Sequence, residues 1–120
     1  MTSILETVGI AFLFAPAHHG ATRHAVGPRR ELGIRTLFNV LGPLTNPAGA
    51  KRQVMGVYSA HLVEPIGKVL AELETVHALV VHGAGGIDEF SLAGSSRVAE
   101  VRDGSVEVYD LHPSDVGLPT

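Results

Sequence analysis

The sequence of 120 residues contains no cysteine and few charged or aromatic side chains. Without cysteine there is no disulfide framework, no thiolate nucleophile and no cysteine-ligated zinc or iron–sulfur site. The composition is too apolar for a disordered tail, because 45% of the residues are hydrophobic and only 18% are charged. The length fits one packed domain, since domains commonly have about 100–150 residues.

The sequence also lacks a basic patch and a long apolar segment. Nine Lys and Arg residues are spread along the chain, and the net charge is −3, so the sequence has no cluster of basic residues that would bind a nucleic-acid backbone. The longest stretch without a charged residue, Thr7–Thr22, contains Pro16 and is shorter than the ~20 apolar residues that span a bilayer. No basic residue precedes Arg23, whereas a secretory signal would need one. We therefore expect a soluble, cytoplasmic protein that binds neither nucleic acid nor membrane.

Hydrophobic spacing predicts an α/β fold. A strand, an amphipathic helix and a buried strand form a βαβ unit, and two shorter strands follow with a hairpin turn at Asp103-Gly104. We expect a partial, mostly parallel sheet with flanking helices and a C-terminal hairpin. Elements at both termini look interrupted, so we also expect the chain to be part of a larger protein. The predicted elements are, in chain order, a helix end at Ser3–Gly9, strand Ile10–Phe14, helix His18–Glu31, helix Thr36–Leu41, strand Gln53–Tyr58, helix Leu62–Leu73, strand Val76–Val81, strands Arg97–Val101 and Val106–Asp110, and a helix start at His112–Asp115.

The first candidate site is the loop HGAGGIDE (His82–Glu89), which follows the second strand of the βαβ unit. Ligands of open α/β sheets bind outside the carboxyl ends of the strands. Three glycines allow close backbone approach, and Asp88 and Glu89 supply carboxylate oxygens of the kind that hold Mg²⁺ together with phosphates and water. A surface turn with two solvated acids explains the same residues. A dinucleotide-binding turn is less well supported, because the third spaced glycine is missing.

Histidine-rich and basic segments are further candidates. His18–His24 contains three histidines, but no HExxH spacing is present to support a metal site. Arg29 or Arg30 has the planar donors that bind a carboxylate or phosphate, although solvated contacts explain the pair more simply. Lys51–Arg52 precedes a predicted strand, where the two basic side chains could contact a phosphate or simply be solvated. The segment Asn39–Pro47 indicates a rigid turn with a structural role. A Ser/His/Asp triad is not supported, because the GxSxG motif is absent.

Three segments together resemble the anthranilate phosphoribosyltransferase family, and the resemblance covers nearly the whole chain. The resemblance implies transfer of a phosphoribosyl group from 5-phosphoribosyl 1-pyrophosphate (PRPP) to the amine of anthranilate, in tryptophan biosynthesis, with Mg²⁺ as cofactor. It also implies a homodimer and the large α/β domain shared with pyrimidine nucleoside phosphorylases, which are distant relatives in fold. The segments are FLFAPAHH (Phe12–His19), RRELGIRTLFNVLGPLTNPA (Arg29–Ala48) and VVHGAGGIDE (Val80–Glu89).

The resemblance also implies roles for individual residues. By motif position, Asp88 and Glu89 resemble the metal-binding acids of the family. Arg29 resembles the arginine that recognises the anthranilate carboxylate. His19 resembles the histidine that lines the path by which the aromatic substrate enters, and Pro16 resembles a residue in the wall of that path. No catalytic protein nucleophile is implied, because positioning and electrostatic stabilisation of the leaving pyrophosphate account for the reaction.

The sequence departs from the family pattern in two respects. Gly20 and Thr22 stand where many relatives have proline and a larger apolar residue, which predicts looser packing against anthranilate. The GTGGD loop, the KHGN segment and the Asn-Ser/Thr motif that bind PRPP are missing, as are the N-terminal helical domain and the final helices. We therefore expect residues 1–120 to be a part of the α/β domain that is inactive alone. The alternatives are a non-catalytic binding or complementing fragment and a related pyrimidine nucleoside phosphorylase.

Overall fold

The computed structural model describes residues 2–12, 27, 31, 33, 38–46 and 48–119. The chain divides into two compact units, Met1–Pro47 and Ala48–Thr120. Most of the predicted helix His18–Glu31 lies outside the described residues. Within the described ranges, no helix combines the length and the apolar character needed to cross a membrane.

The helices of the first unit whose bounds the structure describes are α1 (Thr2–Val8) and α2 (Phe38–Leu44). The predicted helix end at Gly9 is confirmed. Gly9 has a φ of +79°, and its N–H donates to the carbonyl oxygen of Leu5 at 2.9 Å. A glycine in the left-handed conformation commonly ends a helix in this way, because it has no Cβ that would come too close to the following carbonyl oxygen.

Helix α2 ends later than the sequence predicts. It passes the expected end at Leu41 and continues through Pro43 to Leu44. Thr45 closes the last turn, since its N–H donates to the carbonyl oxygen of Gly42 at 3.2 Å and its hydroxyl donates to that of Leu41 at 2.8 Å. The irregular turn predicted for this segment therefore follows the helix and does not begin at Gly42.

The described part of the predicted strand Ile10–Phe14 is not a strand. Ile10 is 73% exposed and Phe12 is 82% exposed, and the backbone from Ile10 to Phe12 is irregular. An apolar segment becomes a buried strand only where neighbouring strands satisfy its backbone N–H and C=O groups. None of the described strands pairs with these residues.

The second unit is a four-stranded sheet with a helix packed against it. The strand order is β1-β2-β3-β4. β1 and β2 are parallel, and the connection between them contains α3, which confirms the predicted βαβ unit. The elements are β1 (Arg52–Gly56), a 3₁₀ turn (Ala60–Leu62), α3 (Val63–Glu72), β2 (His77–His82), β3 (Ser96–Arg102), β4 (Ser105–Leu111) and a 3₁₀ turn (Pro113–Val116).

Within the described residues the sheet is mixed and not mostly parallel. β2 pairs with β3, and β3 with β4, in antiparallel fashion. The connection from β2 to β3, residues 83–95, contains no helix, and a parallel neighbour would require a crossover that is usually helical. The C-terminal hairpin is confirmed, with Asp103 at a φ of +47° and Gly104 at +81°, as in the two-residue turns that favour Asn-Gly and Asp-Gly.

Most of the core lies between α3 and one face of the sheet, and Val81 and Val98 are buried on the opposite face, because successive strand residues point to opposite faces. α3 buries positions separated by three and four residues, as the amphipathic pattern predicts. Gly67 allows α3 to approach the sheet closely, since a Cβ there would lie 3.0 Å from Ala99 Cβ and 3.2 Å from Val106 Cγ1. The hydrophobic residues with at most 2% exposure are Met55, Val57, Val63, Leu70, Ala78, Val80, Val81, Val98, Ala99 and Val101.

Candidate functional site

The carboxyl ends of β1 and β2 lie side by side because these strands are parallel. Pairing continues past the end of β1, where the N–H of Val57 donates to the carbonyl oxygen of Val81 at 2.9 Å. Nδ1 of His82 lies 2.9 Å from the carbonyl oxygen of Val57. A carbonyl oxygen only accepts hydrogen bonds, so Nδ1 carries the proton and the ring orientation is held. This edge is the place where ligands of α/β sheets bind.

The loop after β2 turns back onto this edge. The N–H of Gly83 donates to the carbonyl oxygen of Ile87 at 2.9 Å, and the N–H of Gly86 donates to that of Gly83 at 3.1 Å. Gly85 and Gly86 have φ angles of +85° and +79°, which glycine adopts without steric cost. The glycines of this loop therefore form a tight turn that returns the chain to the sheet at Asp88.

The backbone of the two acids packs against two glycines. A Cβ atom at Gly56 would overlap the carbonyl oxygen of Asp88 and lie 2.6 Å from its carbonyl carbon. A Cβ atom at Gly83 would overlap the carbonyl oxygen of Glu89. Ordinary Cβ contacts are 3.4–4 Å. The Asp88–Glu89 backbone is therefore in direct contact with the ends of both parallel strands.

The carboxylates of Asp88 and Glu89 are exposed. Within the described residues, neither has an ion-pair or hydrogen-bond partner, and no group of three or more metal-ligating side chains occurs there. Mg²⁺ commonly takes one or two carboxylates and completes its shell with phosphates and water. This donor set fits Mg²⁺ bound together with a phosphate-containing ligand, and it does not form a complete protein cage for a metal.

The structure describes only some of the other predicted site residues. Arg29, His19 and Pro16, predicted to contact anthranilate, lie outside the described residues. Lys51–Arg52 lies at the amino end of β1, opposite the end that contacts the acids. Of the residues assigned by the family resemblance, the structure therefore describes only the acid pair, and it places both acids at the carboxyl ends of the parallel strands.

A second polar cluster lies at the amino end of β2, and residue spacing alone does not bring all its members together. Oε1 of Glu100 is 2.9 Å from Nε2 of His77 and 2.7 Å from Nη2 of Arg102, and the hydroxyl of Tyr109 donates to Oε2 at 3.1 Å. Spacing indicates that Glu100 and Arg102 share a strand face. Only the strand register shows that His77 lies opposite Arg102. The donors around Glu100 indicate a structural role for this cluster.

Hydrogen bonding and burial shift two pKa values in this cluster. The hydrogen bond from His77 is the main cause that lowers the pKa of Glu100, burial opposes it, and Tyr109 and Arg102 lower it further. Burial is the main cause that raises the pKa of Tyr109, and the hydrogen bond to Glu100 adds to it. Glu100 is therefore held in its charged form.

A model of the family described as "Glycosyl transferase family, a/b domain" matches residues 1–120. The chain belongs to this glycosyl transferase family. Among curated relatives, the anthranilate phosphoribosyltransferase of Azotobacter vinelandii (strain DJ / ATCC BAA-1303) is 58% identical over 114 residues, and that of Thioalkalivibrio sulfidiphilus (strain HL-EbGR7) is 59% identical over 114 residues. These matches cover 95% of this chain but 33% and 34% of the relatives, so the chain spans about a third of their length.

Solved structures of anthranilate phosphoribosyltransferase from Saccharomyces cerevisiae have a similar fold. The complex with 4-fluoroanthranilate has a TM-score of 0.81 and 32% identity, covering 98% of this chain and 34% of that chain. The complex with PRPP and Mg has a TM-score of 0.78 and 35% identity, covering 89% of this chain and 30% of that chain. These matches confirm the predicted resemblance and the predicted α/β fold of the phosphoribosyltransferase and nucleoside phosphorylase type.

Proposed function

We propose that this chain is the part of an anthranilate phosphoribosyltransferase that contains the metal-binding acids and part of the anthranilate site. The close packing of Asp88 and Glu89 on the carboxyl ends of β1 and β2 carries the proposal. A solvated surface turn does not require its backbone to contact two strand ends. The 58% identity to a relative of that name adds support.

In the proposed reaction, the amine nitrogen of anthranilate bonds to C1 of the ribose while the bond from C1 to the pyrophosphate oxygen breaks. The pyrophosphate leaves with the bonding electrons, and the amine loses a proton. The chemistry that a bound Mg²⁺ would supply is neutralisation of the negative charge on the leaving pyrophosphate. Asp88 and Glu89 would hold the metal at the sheet edge, with no protein nucleophile involved. The yeast complexes with 4-fluoroanthranilate and with PRPP and Mg support these ligands.

Arg29, His19 and Pro16 are the residues that we assign to anthranilate binding. A guanidinium can bind a carboxylate through two parallel hydrogen bonds, so we assign Arg29 to the carboxylate of anthranilate. His19 and Pro16 are assigned to the wall of the same path by their motif positions. The proposal also includes a homodimer, a cytoplasmic location, and a larger α/β domain to which residues 1–120 contribute.

Anthranilate fluorescence tests the proposed reaction. The chain is combined with PRPP and anthranilate, with and without Mg²⁺, in parallel with a complete enzyme that contains the same residues. We expect a Mg²⁺-dependent loss of anthranilate signal from the complete enzyme only, because the motifs that bind PRPP are absent from these 120 residues. A loss with the isolated, folded chain would refute the argument from the missing motifs. Phosphate-dependent cleavage of a nucleoside by the complete enzyme, without use of anthranilate, would contradict the proposed function.

Two substitutions in the complete enzyme separate the anthranilate and metal roles. Arg29→Ala should raise KM for anthranilate by about 10–100-fold, because hydrogen bonds between charged groups contribute roughly 1.5–3 kcal/mol. Arg30→Ala removes the same charge at the next position and is the matched control. Asp88→Asn should raise the Mg²⁺ concentration required for half-maximal activity. Unchanged anthranilate kinetics in Arg29→Ala, or an unchanged Mg²⁺ requirement in Asp88→Asn, would remove the corresponding role.

A further inference from the structure

Gly56 and Gly83 differ from the other described glycines in the atoms that lie against them. At these two positions an added Cβ would overlap a backbone carbonyl oxygen, that of Asp88 at Gly56 and that of Glu89 at Gly83. At the other described glycines, the nearest atoms belong to side chains or nothing lies within 4 Å. Both backbone contacts therefore involve the two acids of the candidate metal site.

The two contacts come from neighbouring strands. Gly56 is the last residue of β1, and Gly83 directly follows β2. The strands are parallel and adjacent, so the two glycines flank the same edge of the sheet. Two contacts on consecutive residues restrict both the distance of the Asp88–Glu89 backbone from this edge and its direction along it.

We propose that Gly56 and Gly83 are positioning residues for metal binding by Asp88 and Glu89. This inference rests on the proposed function. Mg²⁺ requires near-octahedral ligands at about 2.0–2.1 Å, and binding sites tolerate displacements of about 0.5 Å. With a methyl group at Gly56, the distance between the added Cβ and the carbonyl carbon of Asp88 would have to increase from 2.6 Å to at least 3.4 Å. This displacement exceeds the tolerance.

Alanine substitutions in the complete enzyme test the inference. Mn²⁺ is the probe, and its binding in the presence of pyrophosphate is followed by electron paramagnetic resonance of the free ion. We expect Gly56→Ala and Gly83→Ala to weaken Mn²⁺ binding by about 10–100-fold, as is typical when the residues that orient metal ligands are replaced. The Mg²⁺ concentration for half-maximal activity should rise by a similar factor, while KM for anthranilate stays near its original value.

Gly67→Ala is the matched control. A methyl group at Gly67 also meets close neighbours, with Ala99 Cβ at 3.0 Å, but they belong to the core and not to the acids. We expect this variant to change the thermal unfolding midpoint without changing Mn²⁺ affinity. If Gly67→Ala weakened Mn²⁺ binding as much as Gly56→Ala, general destabilisation would explain both results and the inference would be wrong.

Asp88→Asn separates failure of the inference from failure of the proposed function. If Asp88→Asn binds Mn²⁺ as the original enzyme does, the metal assignment itself is wrong. If Asp88→Asn loses binding while folded Gly56→Ala and Gly83→Ala retain it, the metal assignment stands and the positioning role is wrong.

A measurement on the unsubstituted enzyme applies even if the alanine variants do not fold. In enzyme labelled with ¹⁵N-glycine, bound Mn²⁺ should broaden the amide signals of Gly56 and Gly83. The signal of Gly104 should stay sharp, because the β3–β4 turn lies at the opposite end of the sheet. Unbroadened signals from Gly56 and Gly83 would overturn the inference.

Discussion

Replacement of Glu100 by glutamine should destabilise the second unit by about 1–3 kcal/mol at neutral pH. The carboxylate accepts hydrogen bonds from His77, Arg102 and Tyr109. A hydrogen bond to a charged group contributes roughly 1.5–3 kcal/mol, whereas an exposed ion pair contributes about 0–1 kcal/mol. The Arg102 side chain is 65% exposed and the Glu100 side chain 22% exposed, so the bonds from His77 and Tyr109 account for most of the expected loss. Glutamine retains the shape of the side chain and removes its charge.

The pH dependence provides a second check on the role of Glu100. Its pKa in the folded chain is lowered from the ordinary value of 4.5. A carboxyl group of this kind stabilises the fold above the unfolded-state pKa, and the contribution is lost as the pH falls through the folded-state pKa. The stability difference between the original chain and Glu100→Gln should therefore be largest near neutral pH and shrink below the folded-state pKa.

Urea unfolding followed by circular dichroism measures this difference across the pH range. Glu107→Gln is the matched control, because Glu107 is exposed, lies opposite Glu100 in the strand register and loses the same charge. We expect its free energy of unfolding to stay within about 0.5 kcal/mol of the original. Equal losses in the two variants, or a Glu100→Gln difference that does not depend on pH, would refute the reasoning.

Two further stability predictions concern the core and the hairpin, both measured by urea unfolding. Leu70→Ala should cost about 2–5 kcal/mol, because Leu70 is 1% exposed. Val69→Ala, at a position 41% exposed on the same helix, should cost less than about 1 kcal/mol. Similar losses at both positions would contradict the predicted packing of α3. Gly104→Ala should cost about 1–2 kcal/mol, because this residue has a φ of +81°. A variant as stable as the original would show that the turn does not require this conformation.

Hydrophobic spacing predicts the local elements of the second unit well. α3 buries Val63, Ile66 and Leu70 as its amphipathic pattern requires, and Asp103-Gly104 forms the predicted hairpin turn. These features depend on residues close together in sequence. The direction of β3 is harder to predict from the sequence, because it depends on whether the segment after β2 forms a crossover helix or a turn. The described part of the strand expected at Ile10–Phe14 is not a strand for a similar reason, since a buried strand requires a neighbouring strand, and residue spacing does not show whether one is present.

The candidate site is predictable in its residue types but not in its geometry. The glycines and carboxylates of the loop after β2 indicate an oxygen-rich ligand site. The contact between Gly56 and Asp88 depends on tertiary structure and on the parallel pairing of β1 with β2. The roles of Arg29, His19 and Pro16 come from the family resemblance and stay predictions.

The strand connections imply an order of folding for the second unit. β3 and β4 are joined by a two-residue turn, and such hairpins form within about 1–10 μs. β1 reaches β2 only after the whole α3 crossover has closed, and contacts between residues distant in sequence form more slowly because loop closure costs entropy. The contact between Gly56 and Asp88 requires this later step. A chain that has formed only the hairpin therefore contains both carboxylates but has no sheet edge on which to hold them.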